Sequence, residues 1–287
     1  RLDAPCGSRA PSAFDVTVLQ GHSTTRLLTL INTGAGDLVF DIKETTRTLG
    51  SDLLFPQPQV QGHTTVVHED KKTHLEVMPG RSVRLAGGGP DPFGYTYKDS
   101  DEPGGPDYGW IEIAPPAGGT GTEITGLTGA DDSHYWPLAL PFAFNFYGTD
   151  YTTLAVASNG TLYFEDNYLG LENVPIPGPN DYGVERFIAH LWDDLVIRPG
   201  AVYYQIEANR IVIEYYQVSG FESPDWGTWE VILFDNGNIL FQYQDANFGS
   251  PGFNYGAGAT VGIQGDTTTG LQYSYNTAAL SDTLAIC

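Results

Sequence analysis

From residue 135 onward, apolar and polar side chains alternate in short runs that end at turn residues. The runs cover 135–164, 185–197, 201–218, 228–246 and 258–276. A period of two puts alternate side chains on opposite faces of a pleated strand, so each run predicts a strand or a hairpin. Helical spacing, with apolar residues at i, i+3, i+4 and i+7, persists over no useful window. Three stretches read as hairpin turns: Ser158-Asn159-Gly160-Thr161, Glu207-Ala208-Asn209-Arg210 and Asp235-Asn236-Gly237-Asn238. A type I′ turn needs positive φ at both central residues, which Asn-Gly supplies easily. Such a turn would point the Asn159 side chain outward. Strands at this spacing, with no helices between them, predict an antiparallel sandwich or barrel.

The first third of the chain follows the same period. "FDVTVLQGHSTTRLLTLINTGAGDLVFDIKET" (14–45) reads as three strands, punctuated by Gly21 and by Gly34-Ala35-Gly36. Residues 46–92 carry a weaker pattern and end in "LAGGGPDP", a linker composition. The expected fold class is therefore all-β, with two antiparallel β-sandwich domains. The boundary falls near Gly87-Gly88-Gly89, giving a small domain over 1–88 and a larger one over 89–287.

Charge narrows the list of partners. The chain has 13 Lys and Arg against 35 Asp and Glu, a net of −22. Nucleic-acid binding depends on cations that displace counterions from phosphate, so nucleic acid is excluded as a natural partner. No apolar run is long enough to span a bilayer. The N-terminus "RLDAPCGSRA" lacks the apolar core of a signal peptide, so a secreted form is expected to have lost its signal already. The two cysteines, Cys6 and Cys287, stand near opposite ends of the sequence. An internal bond between them would restrict the unfolded chain by about 5 kcal/mol on the loop-entropy account. A bond between chains would join copies end to end. Free thiols are the third alternative.

Two resemblances follow from quoted residues. "TTRLLTLINTG" followed by "GDLVFDI" resembles the small immunoglobulin-like modules of bacterial secreted proteins. Over about residues 135–276, Phe146-Tyr147-Gly148, Ser158-Asn159-Gly160, Trp192-Asp193 and Val261-Gly262-Ile263 occur in order. That series is similar to the nidogen-like (NIDO) extracellular domain. The complete order also resembles the C-terminal regions of large bacterial secreted proteins, some of which carry subtilisin-like peptidase domains. The resemblance implies an immunoglobulin-like first domain, a NIDO-like second domain, an extracellular or bacterial cell-surface location, and a non-catalytic role.

Candidate chemistry is sparse. "KDSDEPGGPD" places Asp99, Asp101, Glu102 and Asp107 around a Gly-Gly turn, and calcium favours oxygen ligands from such a flexible loop. Asp193-Asp194 after Trp192, and the acidic turn "TGADDSH" (128–134), are weaker versions of the same chemistry. An aspartate at a strand end also orders a loop by accepting backbone hydrogen bonds. His63, His68 and His74 lack the spacing of a zinc site. No Gly-x-Ser-x-Gly elbow occurs, and no pair of carboxylates stands out for glycoside chemistry. Trp226, in the polar loop "SGFESPDWGTW", is the candidate for stacking on a sugar ring. Asn159 also begins an Asn-Gly-Thr glycosylation acceptor, although turn chemistry is reason enough for an Asn-Gly pair there.

The sequence thus predicts a non-enzymatic extracellular structural or adhesive protein, self-assembling into filaments or matrix, with Ca²⁺ as candidate cofactor. Its expected partners are further copies of itself or surface and matrix components. One route to assembly is strand donation by the extended, Pro-interrupted segment 1–18 to the open sheet edge of a neighbour. The alternative is a glycan-binding accessory module of a secreted hydrolase or peptidase.

Overall fold

Strands make up most of the regular structure in the computed structural model, which describes residues 7–10, 29–32 and 87–287. In chain order they are β1 (Gly7–Ala10), β2 (Thr29–Asn32), β3 (Thr122–Glu123), β4 (His134–Phe146), β5 (Thr149–Ala157), β6 (Thr161–Tyr163) and β7 (Phe187–Trp192). They continue with β8 (Leu195–Ile206), β9 (Arg210–Gly220), β10 (Trp226–Phe234), β11 (Ile239–Asp245), β12 (Thr260–Asp266), β13 (Thr269–Tyr275) and β14 (Leu284–Ile286). The only helical pieces among the described residues are three short 3-10 turns. No described helix is long and apolar enough to cross a membrane.

The chain divides into two compact units, 1–38 with 84–287, and 39–83; every described residue belongs to the first. β2 falls within the strand expected from "TTRLLTLINTG". It pairs antiparallel with β1, Gly7 opposite Asn32 and Ala10 opposite Thr29. Residues 7–10 of the segment expected to pair with a neighbouring copy are therefore paired within the chain. Apart from these two strands and Gly87-Gly88, the expected immunoglobulin-like module over 1–88, with His22, His63, His68 and His74, lies outside the described residues.

The larger assembly has two six-stranded antiparallel sheets. Their orders are β14-β11-β10-β9-β8-β3 and β13-β12-β7-β6-β5-β4. The inner faces share one core, with Leu154, Val156, Leu162 and Ile188 from the second sheet and Ile213, Tyr215, Trp229 and Val231 from the first. The run 185–197 is not one strand. β7 belongs to the second sheet and β8 to the first, and Asp193-Asp194 is the crossover. Buried polar bonds tie the sheets together: Trp229 Nε1 donates to His190 Nδ1 (2.8 Å), Tyr243 OH to the His190 carbonyl (2.6 Å), and Tyr215 OH to the Ala157 carbonyl (2.7 Å). β4 contains Pro137 and Pro141 and is an edge strand, the position where missing backbone donors cost least.

Both outer faces are covered as well. Leu169, Ile176 and Val184, from the segment between β6 and β7, pack on Tyr163, Phe187 and Trp192 of the second sheet. Ile113 and Ala114 pack on Tyr203, Val212, Ile232 and Leu240 of the first. This cover explains why all six residues of β7 are buried. It also explains why Tyr203 is buried although it points away from the central core.

The hairpin turns form where expected but not with the expected geometry. Gly160 and Gly237 have φ of +71° and +86°, whereas Asn159 and Asn236 are absent from the positive-φ residues. Neither is a type I′ turn. At 234–238, Gly237 N donates to the Phe234 carbonyl and Phe234 N to the Asn238 carbonyl. That is a three-residue loop closed by a left-handed glycine.

Candidate functional site

The β5–β6 turn, the Asp193-Asp194 crossover and the acidic turn before β4 meet at one place. The contact begins at Gly160: a Cβ there would lie 1.9 Å from the Leu191 carbonyl oxygen, so only glycine lets the two chains approach. Leu191 N donates to the Gly160 carbonyl (3.2 Å) and Asp193 N to the Asn159 carbonyl (3.4 Å). Asn159 is fully buried. Its Oδ1 accepts from Leu195 N (3.0 Å) and its Nδ2 donates to Asp132 Oδ1 (2.9 Å). Ser158 closes the other side: its hydroxyl donates to the Ser133 carbonyl (3.0 Å) and accepts from Ser133 N (2.9 Å).

These bonds bring acidic residues together. One carboxylate oxygen each from Asp131, Asp132 and Asp194 lies within 4.8 Å of the others; the first two are exposed and Asp194 is half-buried. Burial, followed by the charges of Asp132 and Asp131, raises the Asp194 carboxyl above its ordinary range. Asp193 beside it is pushed up to about 7, chiefly by burial, against a lowering hydrogen bond from Asp194 N. Tyr168 is raised by burial and by a hydrogen bond to Asp132. Neither ion pair among the described residues, His134–Asp166 or Arg210–Glu207, neutralises the three aspartates. Three converging carboxylates supply part of the all-oxygen shell that a hard cation such as calcium takes.

The residues singled out in the sequence are distributed differently. Asp99, Asp101, Glu102 and Asp107 do not converge on a common point. Asp99 is buried, and its carboxylate accepts from Tyr273 OH (2.8 Å) and Asp101 N (3.0 Å). It thereby anchors residues 98–100, which extend the edge of the first sheet along β14: Lys98 N donates to the Cys287 carbonyl and Ser100 N to the Ala285 carbonyl. Asp101 and Asp107 are exposed. Burial of Asn159 also corrects the outward orientation expected of it, since its amide nitrogen faces Asp132 and not solvent. Trp226 opens β10 and remains 36% exposed, beside Phe221 at 43% in the same loop. Phe221 N donates to the Asp194 carbonyl (2.9 Å), which places this loop against the acidic junction. Cys287 is disulfide-bonded; Cys6 lies outside the described residues.

With this geometry in hand, the resemblance over 135–276 has an independent counterpart. A family model described as NIDO related matches residues 112–286, more than half of the 287-residue chain. The chain belongs to the NIDO-related family. No curated protein matches it, and no solved structure does. The NIDO-related match starts within the segment that covers the first sheet and ends at β14. Several of its motif side chains serve the fold from within. Tyr147 OH donates to Asp91 Oδ2 (2.8 Å), and Asp91 Oδ1 accepts from the backbone of Phe93, Gly94 and Tyr95. Trp192 Nε1 donates to the Gly170 carbonyl (2.7 Å) and pins the segment over the second sheet.

Two groups escaped the sequence reading. The acidic turn and the Asp pair were visible separately, but no local signal joins positions 131 and 194. Glu214 and Glu230 are both fully buried. Each stands among apolar neighbours at an alternating position, and that pattern reads as solvent-facing when the outer cover is not known.

Proposed function

We propose that this NIDO-related chain is a non-catalytic structural or adhesive module of an extracellular, cell-surface or secreted protein. The observation that carries this reading is the use of the family motif side chains. Tyr147, Asn159 and Trp192 each fasten a loop to the sandwich. The shared pattern is thus spent on holding a rigid body together, which suits a part that bears or transmits contacts. Pairing of Cys6 with Cys287 inside one chain adds to that rigidity, and self-assembly proceeds through surfaces other than β1. The expected calcium role moves from Asp99–Asp107 to the junction of Asp131, Asp132 and Asp194.

The test is light scattering on size exclusion with intact mass, without reductant, with calcium and with a chelator. The expected result is a chain two mass units below its reduced value, a calcium-raised melting temperature, and self-association or adhesion to matrix at high concentration. Asp132→Asn or Asp194→Asn should remove the calcium effect. A monomer that neither associates nor adheres under any of these conditions would sink the structural reading.

A second reading is supported by Trp226 and Phe221, two exposed aromatics on one loop. In that case the module carries glycan affinity for a secreted hydrolase or peptidase. Trp226→Ala should abolish retention on glycan-coated beads while leaving the melting temperature within a degree or so.

A further inference from the structure

The segment 108–114 crosses the outer face of the first sheet, where a row of polar side chains receives it. Gln242, Glu230 and Glu214 are direct cross-strand partners on β11, β10 and β9. Each takes a backbone group from the segment at every second residue. Gly109 exchanges two bonds with Gln242 (2.6 and 2.9 Å), and Ile111 N donates to Glu230 Oε1 (3.2 Å). Ile113 N and Ala114 N both donate to Glu214 Oε2 (3.1 and 2.9 Å). Gln242 Nε2 also donates to Glu230 Oε1 (2.6 Å).

One oxygen of each glutamate is left over. Glu214 Oε1 and Glu230 Oε2 are buried and have no hydrogen-bond partner. Directly opposed cross-strand residues have Cβ atoms about 5 Å apart. The two carboxyls are thus neighbours on one buried face, and the charge of Glu214 adds to burial in raising Glu230; out of water, such a pair favours holding a proton over double ionisation. No described ion pair reaches either of them.

We propose that Tyr108–Ala114 is a proton-held strap, which stays on the sheet while Glu214 and Glu230 share a proton and lifts off when the pair loses it. Lifting uncovers the apolar surface beneath it, formed by Tyr203, Val212, Ile232 and Leu240.

The charged surroundings favour the proton. From the strap, Glu112 faces Glu214 and Tyr108 faces Glu230, and Asp282 adds to the field at Tyr108. From β8, Tyr203 neighbours Glu214, Glu123 of β3 and Tyr216 of β9. Arg210 on β9 opposes them with a positive charge at Glu230. Burial, followed by Glu112, pushes Glu214 up to about 8 against the strap's own N–H groups. Burial likewise raises Glu230 well above the carboxylate range. The closed strap therefore binds more protons than the open one. Closure is fully favoured below the ordinary glutamate value and weakens as pH rises through the window up to about 8.

Hydrogen–deuterium exchange on the full chain, corrected for the intrinsic pH dependence, tests this. The amides of Ile111, Ile113 and Ala114 should open more readily by about tenfold per pH unit for each proton released, between about pH 5 and 8. The inner-strand amides of Val231 and Ile213 should keep their protection over that window. In Glu214→Gln/Glu230→Gln, the amide oxygens still accept the strap N–H groups and neither buried position titrates, so the strap response between about pH 5 and 8 should become flat. A flat corrected response in the unaltered protein overturns the proposal. So does a folded double variant that keeps the slope, or a slope shared equally by the inner strands. If the double variant does not fold, the infrared carboxyl band of the unaltered protein decides. A buried protonated carboxyl that persists at neutral pH and disappears together with strap protection supports the proposal; loss of protection with no such band contradicts it.

Discussion

Asn159 shows how much one side chain does at the loop junction. It caps the crossover through Leu195 N and positions Asp132 in the acidic cluster. Asn159→Ala leaves the buried Leu195 N–H without its acceptor and should cost about 1–3 kcal/mol in urea unfolding. Asn159→Asp should cost more at neutral pH, because it opposes a second carboxylate to Asp132, and should recover as pH falls. His190 governs the acid limb. Burial lowers it to about 3 from 6.5, so the folded state binds fewer protons than the unfolded chain. Its stabilising contribution is present above the unfolded value and is lost as pH falls toward 3. By about pH 4 the loss should reach roughly 3 kcal/mol. His190→Gln keeps an acceptor for Trp229 Nε1 and should flatten this limb in thermal melts.

At the scale of elements, each outer sheet face depends on a segment with little regular structure of its own. The cover of the second sheet hangs on Trp192. Trp192→Phe retains most of the apolar contact but loses the bond to the Gly170 carbonyl. The expected outcome is a loss of about 1–3 kcal/mol, visible first as faster proteolytic cutting within 165–186. The strands were legible from their period of two, and so were the hairpins at 158–161, 207–210 and 235–238. The covering segments were not. Their apolar residues, such as Ile113, Leu169 and Val184, follow no period and fill gaps left by other elements. The same blindness affected the turns: Asn-Gly marked where the chain reverses, but contact with Leu191 and Leu195 turned Asn159 inward.

On the scale of the whole molecule, charge is distributed unevenly along the chain. Residues 87–287 hold 4 Lys and Arg against 26 Asp and Glu, which accounts for the entire net of −22. Most of these acids are at the surface, and their mutual repulsion opposes compaction. Raising sodium chloride from low to moderate ionic strength should therefore stabilise the fold by about 1 kcal/mol, or about 2–4 °C in melting temperature. Calcium at the Asp131–Asp132–Asp194 junction should exceed that screening effect at far lower concentration. Substituting sodium for calcium at matched ionic strength in the same melts separates the two.

The sequence alone determined the class of structure, the positions of most strands and turns after residue 134, and the NIDO-related character of the second part. These depend on local period, on glycine's conformational freedom and on an ordered set of short motifs. Tertiary structure decided which acids meet. Asp99 was drawn into a buried bond with Tyr273, while Asp131 and Asp132 joined Asp194 across 61 intervening residues. It also decided that Glu214 and Glu230 lie beneath a strap and not in water. Local pattern tells a strand's two faces apart. Which face water reaches is settled only when a distant segment folds over one of them.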